Sequence, residues 1–128
     1  MRIGITTAKE WVVERNNGQL CKLAGTPLMF AWPILERRRG DIVADLTASM
    51  RIAGFQDSVV ATFPYGRLIL SALESGQPYW QLLALEWVEA ADCSVELREV
   101  LQQVSAQGAS QQLRHRALAT LKKIPVNE

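Results

Sequence analysis

The most regular alternation of apolar and polar positions lies in the last third of the chain. Apolar side chains recur there every three or four residues, which is the spacing of one face of a helix. The apolar residues of this face are Leu97, Val100, Leu101 and Val104. Ser94 stands where an N-cap residue belongs, and Gly108 follows the last apolar position. The pattern predicts a helix over residues 95–106.

A second helix with the same spacing is predicted directly after it. Its apolar residues are Leu113, Ala117, Leu121 and Ile124. Ser110 can cap its first turn, and Pro125 ends it. Lys122 and Lys123 complement the negative end of the helix dipole. These two helices are therefore expected to be neighbours joined by a short link.

Three further helices are predicted upstream, and glycine or proline residues mark where they begin or end. These are predicted over residues 41–53, 64–75 and 78–91. Gly54 and Gly76 follow the first two, and Pro78 suits the first turn of the third. Thr26 and Pro27 are expected to start one more helix, which Pro33 would kink or end.

The helix over 78–91 is predicted to be the central and most buried one. Its polar residues Gln81, Glu86 and Glu89 occupy only about 140° of the helical wheel. Apolar residues, including Leu83 and Trp87, cover the remainder. We expect Trp87 to be buried, since aromatic side chains contribute most to the energetics of a core.

The first 40 residues allow two interpretations, a short helix or a β-hairpin. Thr7 and Glu10 have the spacing of a capping box, which favours a helix over residues 8–16. The rival is a hairpin whose strands, over 11–13 and 20–23, flank an Asn-Gly turn. We favour the helix and keep the hairpin as the alternative.

The predicted fold is mainly all-α, a single domain over residues 1–128 with five or six helices. Trp80, Leu97 and Leu113 hold equivalent positions 17 and then 16 residues apart. Such spacing is typical of antiparallel helical hairpins in a compact bundle, and a short helical repeat is the alternative. The stretch 113–121 is similar to the second helix of a HEAT-type repeat. That resemblance implies at most a protein-binding surface.

The hydropathy pattern also predicts where the protein works. No apolar stretch precedes Lys9, so we expect no secretory signal peptide. No run approaches the roughly 18 apolar residues of a membrane span. We therefore expect neither export through a signal peptide nor insertion into a membrane, and the predicted location is cytoplasmic.

Charge is unevenly distributed along a chain whose formal net charge is only +1. Residues 1–40 hold seven basic and three acidic side chains. Residues 74–107 hold Arg98 alone against six carboxylates. Because asymmetry of this kind can steer a charged partner, each charged segment is a candidate binding surface.

No catalytic or cofactor site is predicted. His115 is the only histidine and lies between two arginines on the polar side of its helix, so an exposed, non-catalytic role is favoured. Cys21 and Cys93 belong to no CxxC pair, which disfavours zinc, and both are predicted to be free thiols. No phosphate-binding glycine loop or nucleophile elbow occurs. We therefore predict no metal and no cofactor.

The carboxylates of residues 86–99 form the candidate partner-binding surface. They are Glu86, Glu89, Asp92, Glu96 and Glu99. Their three-residue spacings place neighbours on one helix face, where solvated carboxylates are the usual finding. A surface with so many acids is suited to a basic partner. The basic triplet 37–39 lacks a second basic run or an aromatic stacker, so nucleic acid is an improbable partner.

These patterns favour a non-enzymatic protein-binding domain. The concrete hypothesis is a bacterial immunity-type protein that neutralises a basic toxin domain, an analogy of size, compactness and charge. Two alternatives stay open, a helical-repeat adaptor or scaffold protein and a small enzyme with an unrecognised site.

Overall fold

A computed structural model describes residues 2–15, 17–23 and 28–124 of the chain. Contacts divide the chain into two compact units, Met1–Pro64 and Tyr65–Glu128, and each is described by itself. Most of the described residues are helical, and a small three-stranded sheet lies near the N-terminus. The prediction of a mainly helical fold is thereby confirmed. The single domain over 1–128 stays a prediction.

The first unit combines a sheet with helical segments. Its described elements are strands β1 (Arg2–Ile5), β2 (Trp11–Glu14) and β3 (Leu20–Lys22), a 3₁₀ segment (Leu28–Glu36), helix α1 (Arg39–Ile52) and a second 3₁₀ segment (Asp57–Thr62). The sheet is antiparallel in the order β1-β2-β3. The expected start at Thr26 and Pro27 lies outside the described residues. From Leu28 the chain continues as 3₁₀ through Pro33 instead of being ended by it.

The helix predicted over 8–16 is wrong, and the hairpin alternative is correct. β2 and β3 pair around a turn in which the Arg15 amide donates to the Gln19 carbonyl at 2.9 Å. Gly18 takes φ +82°, a conformation that glycine adopts without a Cβ penalty. Asn16 lies outside the described residues. Turn chemistry and the β-branched Val12 and Val13 therefore outweigh the capping-box spacing.

Tertiary contacts also explain why β2 forms. The Trp11 indole is buried, and its Nε1–H donates to Thr62 Oγ1 at 2.9 Å. The same ring packs edge-on against Phe63, with ring centroids 5.2 Å apart. Val13 is fully buried on the same side of the strand. A strand carries Trp11 and Val13 to one face, and Trp11 is stabilised there by contacts with Thr62 and Phe63, which are far away in the sequence.

Helix α1 matches the prediction over 41–53, although it begins two residues earlier. Its buried residues Ile42, Leu46 and Met50 recur every four residues, and this spacing gives one core face. Gly54 follows with φ +85° and ends the helix, as its position predicts. Arg38, at the N-cap, makes no side-chain capping bond.

Within the described residues of the second unit, all the regular elements are helical. Its elements are α2 (Tyr65–Glu74), α3 (Pro78–Trp87), a 3₁₀ turn (Ala90–Asp92), α4 (Val95–Gln107) and α5 (Gln111–Lys123). Both predicted serine caps are confirmed. Ser94 Oγ accepts the Leu97 amide at 3.1 Å, and Ser110 Oγ accepts the Leu113 amide at 3.1 Å. Each satisfies a donor that the first turn leaves without a helical partner.

Helix α3 differs from the prediction in two respects. It ends at Trp87 rather than near residue 91, because Val88 is extended and the link then enters the 3₁₀ turn. Gln81, expected on the solvent face, is buried. Its Nε2 donates to the Leu73 carbonyl at 2.7 Å, so its amide joins the end of α2 to α3. This bond offsets the cost of removing the amide from water.

The core of the second unit follows the predicted apolar faces. Trp87 is 2% exposed, as predicted, and Leu97, Leu101, Leu113 and Ala117 are fully or almost fully buried. Contacts join α4 to α5, α2 to both α3 and α4, and α3 to α5. Within the described residues, no helix combines the length and apolar character needed to cross a bilayer. Cys21 and Cys93 are free, the first buried and the second half-buried.

Candidate functional site

The five candidate carboxylates lie around the link between α3 and α4. Glu86 is on the last turn of α3, and Glu96 and Glu99 are on α4. Glu89 precedes the 3₁₀ turn, and Asp92 is its last residue. Four of them are exposed, and Asp92 is half-buried. The link keeps all five within 14 consecutive residues of the second unit. We call these five residues the acidic surface.

Two members of the acidic surface give the link its shape. The Glu89 amide donates to Asp92 Oδ2 at 2.9 Å, and the Glu89 side chain accepts the Asp92 amide in return. This reciprocal pair is a capping box, here on a 3₁₀ turn. The two carboxylates are therefore held in place by backbone bonds while part of their charge still faces solvent.

The charge of Glu86 is balanced locally. Its Oε1 lies 3.0 Å from Arg116 Nη1 of α5, in an ion pair whose side chains are about half exposed. Lys123 lines a small cleft together with Glu86 and Glu89. Because Arg116 and Lys123 lie beside these carboxylates, the α3 end of the acidic surface has less net negative charge than its carboxylates alone would give it.

Glu96 and Glu99 are the members of the acidic surface whose carboxylates are held least by other side chains or by the backbone. Both are exposed, and three-residue spacing brings them onto neighbouring positions of α4. Glu96 is in the first turn, where the helix dipole favours a negative charge. Arg98 reaches back to the link, with Nη2 3.7 Å from Cys93 Sγ. Beside them the side chain of Val95 is 72% exposed, an apolar contact point next to the charges.

The basic triplet does not form a comparable surface. Arg37 Nη2 lies 2.6 Å from Asp45 Oδ2 of α1, so its charge is paired within the first unit. Arg38 is exposed at the N-cap of α1, and Arg39 is half-buried as its first residue. The N-terminal end of α1 would itself favour an anion, but the three arginines differ in exposure and Arg37 is already paired, so they do not present one continuous basic surface.

The other candidate residues do not converge on a catalytic arrangement. His115 is exposed on α5, as its helical position predicts. Trp80 is half-buried and packs edge-on against Tyr79, with centroids 4.9 Å apart. Among the described residues, no three histidine, cysteine or acidic side chains are grouped so as to hold a metal ion.

A cleft that sequence reasoning missed lies in the second unit. It has a volume of about 620 Å³ and is formed by the ends of α2 and α4 with the start of α3. Its buried polar residue is Gln81. The periodicity of α3 placed Gln81 on the solvent face, and only the approach of the end of α2 reveals its true position. No local signal could have identified this cleft.

Comparison with models of protein families, with curated proteins and with solved structures finds no match to this chain.

Proposed function

We propose that this chain is a non-enzymatic protein-binding domain that uses the acidic surface to bind a basic protein. The supporting observation is the exposed pair Glu96 and Glu99 on α4, next to a link that the Glu89–Asp92 capping box holds in shape. A fixed link lowers the entropy that ordering a surface costs on binding. The charges are thereby preorganised for a positive partner.

Electrostatics and an apolar contact would act together at this surface. Exposed carboxylates raise the rate at which a positively charged partner is encountered, and salt screens that effect. Val95 offers an apolar contact of the kind that becomes buried at the centre of an interface. Glu86 would contribute less to steering, because Arg116 already pairs with it.

The concrete form of the proposal is an immunity-type protein that acts in a bacterial cytoplasm and neutralises a basic toxin domain. Its support is an analogy of size and charge, together with helices that would pack as antiparallel hairpins into a compact bundle. A helical-repeat adaptor is the competing proposal. An adaptor is expected to bind several partners weakly, whereas a neutralising protein is expected to bind one partner tightly.

The test uses the basic proteins encoded beside the gene. Each is expressed alone and together with this chain, and growth and complex formation are measured. The proposal predicts that one neighbour is toxic alone, is harmless with this chain, and elutes with it as a stoichiometric complex. The Glu96→Lys/Glu99→Lys variant should protect less well. A toxic neighbour that this chain neither binds nor neutralises, or the lack of a toxic basic neighbour, would contradict the immunity-type proposal.

A further inference from the structure

The cleft formed by α2, α3 and α4 is chemically distinct from the acidic surface. Its floor includes Leu73 and Val104, which are both almost fully buried. Its rim carries Glu74, Gln103 and Gln107, all exposed. A volume of about 620 Å³ is within the range of small-molecule sites. The cleft thus combines an apolar floor with a polar rim that includes one carboxylate.

Two helix C-termini converge on this cleft. Helix α2 ends at Glu74 and α4 ends at Gln107, and both residues line it. Each helix C-terminus carries about half a negative charge from its aligned peptide dipoles. Of the described residues that line the cleft, none is basic, and Glu74 is the charged one. The local field therefore favours a cation.

One cation of the protein lies near the α4 end. Arg114 Nη1 donates to the Gly108 carbonyl at 2.7 Å, so part of the negative charge of that helix end is already balanced. The α2 end differs, because the Leu73 carbonyl accepts from the neutral amide of Gln81 and Glu74 remains at the rim. Attraction for a cation is consequently strongest on the Glu74 side of the cleft.

We propose that this cleft binds an alkylammonium group, with an aliphatic stem over Leu73 and Val104 and the ammonium beside Glu74. Such a ligand combines an apolar stem with a charged head, as a lysine side chain does when it lies along an apolar surface. The amide oxygens of Gln103 and Gln107 supply further acceptors. Two sources have this chemistry, a lysine of a protein partner and a free polyamine. The inference does not depend on the acidic surface.

The test is an NMR titration of the full-length chain with four probes. Cadaverine and its neutral analogue 1,5-pentanediol represent the free ligand. The peptide acetyl-Ala-Lys-Ala-amide and its norleucine analogue represent a lysine of a partner. We expect a cationic probe to shift the amides of residues 73–76 and 103–109 in a saturable manner, more strongly than its neutral analogue. Saturation by the peptide alone identifies a protein source, and saturation by cadaverine alone identifies a polyamine.

A matched pair of variants decides whether the cleft is responsible. Glu74→Gln should weaken binding of the cationic probe about threefold to fivefold, the value of an exposed ion pair. Asp41→Asn removes one carboxylate charge from an exposed position of α1, outside both the cleft and the acidic surface, and should leave the affinity almost unchanged. The proposal is overturned if neither cationic probe saturates, if the neutral analogues bind equally well, or if Glu74→Gln weakens binding no more than Asp41→Asn does.

Discussion

The two units of this chain reach a folded state by different means. In the second unit, α4 and α5 each begin with a serine whose hydroxyl accepts an amide of the first turn, and their buried residues recur at helical spacing. In the first unit, α1 begins at Arg39, and its N-cap residue Arg38 makes no side-chain capping bond. The short strand β2 of that unit is joined to Thr62 through the Trp11 indole. Local signals therefore mark the starts of α4 and α5 in the second unit, whereas β2 in the first unit depends on contacts with residues distant in the sequence.

This difference also separates the candidate functions of the two units. In the acidic surface, the Glu89–Asp92 capping box holds the link and Ser94 caps α4, so the charges at the link and on α4 have a defined arrangement. In the basic triplet, Arg37 already pairs with Asp45. A surface of exposed carboxylates on a fixed link is better suited to partner recognition than a triplet whose members differ in exposure and pairing. The predictions below test both aspects of the comparison.

The largest expected effect is in the core of the second unit. Trp87→Ala should destabilise the protein by about 3–5 kcal/mol, because it removes a buried aromatic ring and leaves a cavity. Tyr79→Ala on the same helix is the control, since that ring is 56% exposed, and should cost much less. Urea denaturation measures both. If both variants lose the same stability, Trp87 is not more deeply buried than Tyr79, and the described burial of α3 is wrong.

The next effect concerns Gly108, the C-cap residue of α4, which lies against the last turn of that helix. A Cβ on Gly108 would lie 2.7 Å from the Val104 carbonyl oxygen, a backbone atom that cannot rotate away. Gly108→Ala should therefore cost about 1–3 kcal/mol. Gly40→Ala is the control in the first unit, where nothing lies within 4 Å of the added Cβ in a helix. It should be neutral or stabilise by up to about 1 kcal/mol. If Gly108→Ala leaves the free energy of unfolding unchanged, Gly108 does not lie this close to the Val104 carbonyl.

Helix capping gives a smaller contrast between the units. Ser110→Ala should cost about 1 kcal/mol, because the Leu113 amide loses its acceptor. Arg38→Ala at the corresponding position of α1 removes no capping bond and should change the free energy of unfolding little. Chemical denaturation of both variants tests this contrast. Equal effects would mean that capping does not distinguish the two units.

The smallest effect is an acid-dependent one in the first unit. Hydrogen bonds from Arg51, at 2.8 and 2.6 Å, lower the pKa of Asp57 below its ordinary value. A lowered pKa in the folded state means that the pair stabilises the protein above the unfolded-state pKa, and this contribution is lost as the pH falls through the folded-state pKa. The stability advantage of the wild type over Asp57→Asn should therefore shrink in acid. Denaturation over a pH series would show a constant difference if Asp57 titrates normally.

The helices with several regular turns could be predicted from their own residues, and the short N-terminal elements could not. Ser94, Ser110 and Gly54 mark helix ends through local chemistry, and the structure places the ends within two residues of the predictions there. For β2, the competing local signals were settled by the contacts of Trp11 with Thr62 and Phe63. No window of sequence contains that information.

The candidate sites show the same division. Exposure of Glu96 and Glu99 follows from the polar face of a regular helix. The ion pair of Glu86 with Arg116 and the hydrogen bond from buried Gln81 to Leu73 depend on how separate helices meet. Periodicity within one helix identifies its exposed face only until another helix covers part of it, which is why the cleft was missed.

The central claim is tested most directly by association kinetics with the basic partner identified beside the gene, at low and at high salt. Glu96→Lys/Glu99→Lys should slow association and flatten its salt dependence, with little change in melting temperature because both side chains are exposed. Keeping Glu89 and Asp92 unchanged preserves the capping box. Arg38→Glu/Arg39→Glu is the charge-matched comparison and should have the smaller effect on the association rate. If the arginine variant slows association more than the glutamate variant does, the acidic surface is not the site of binding.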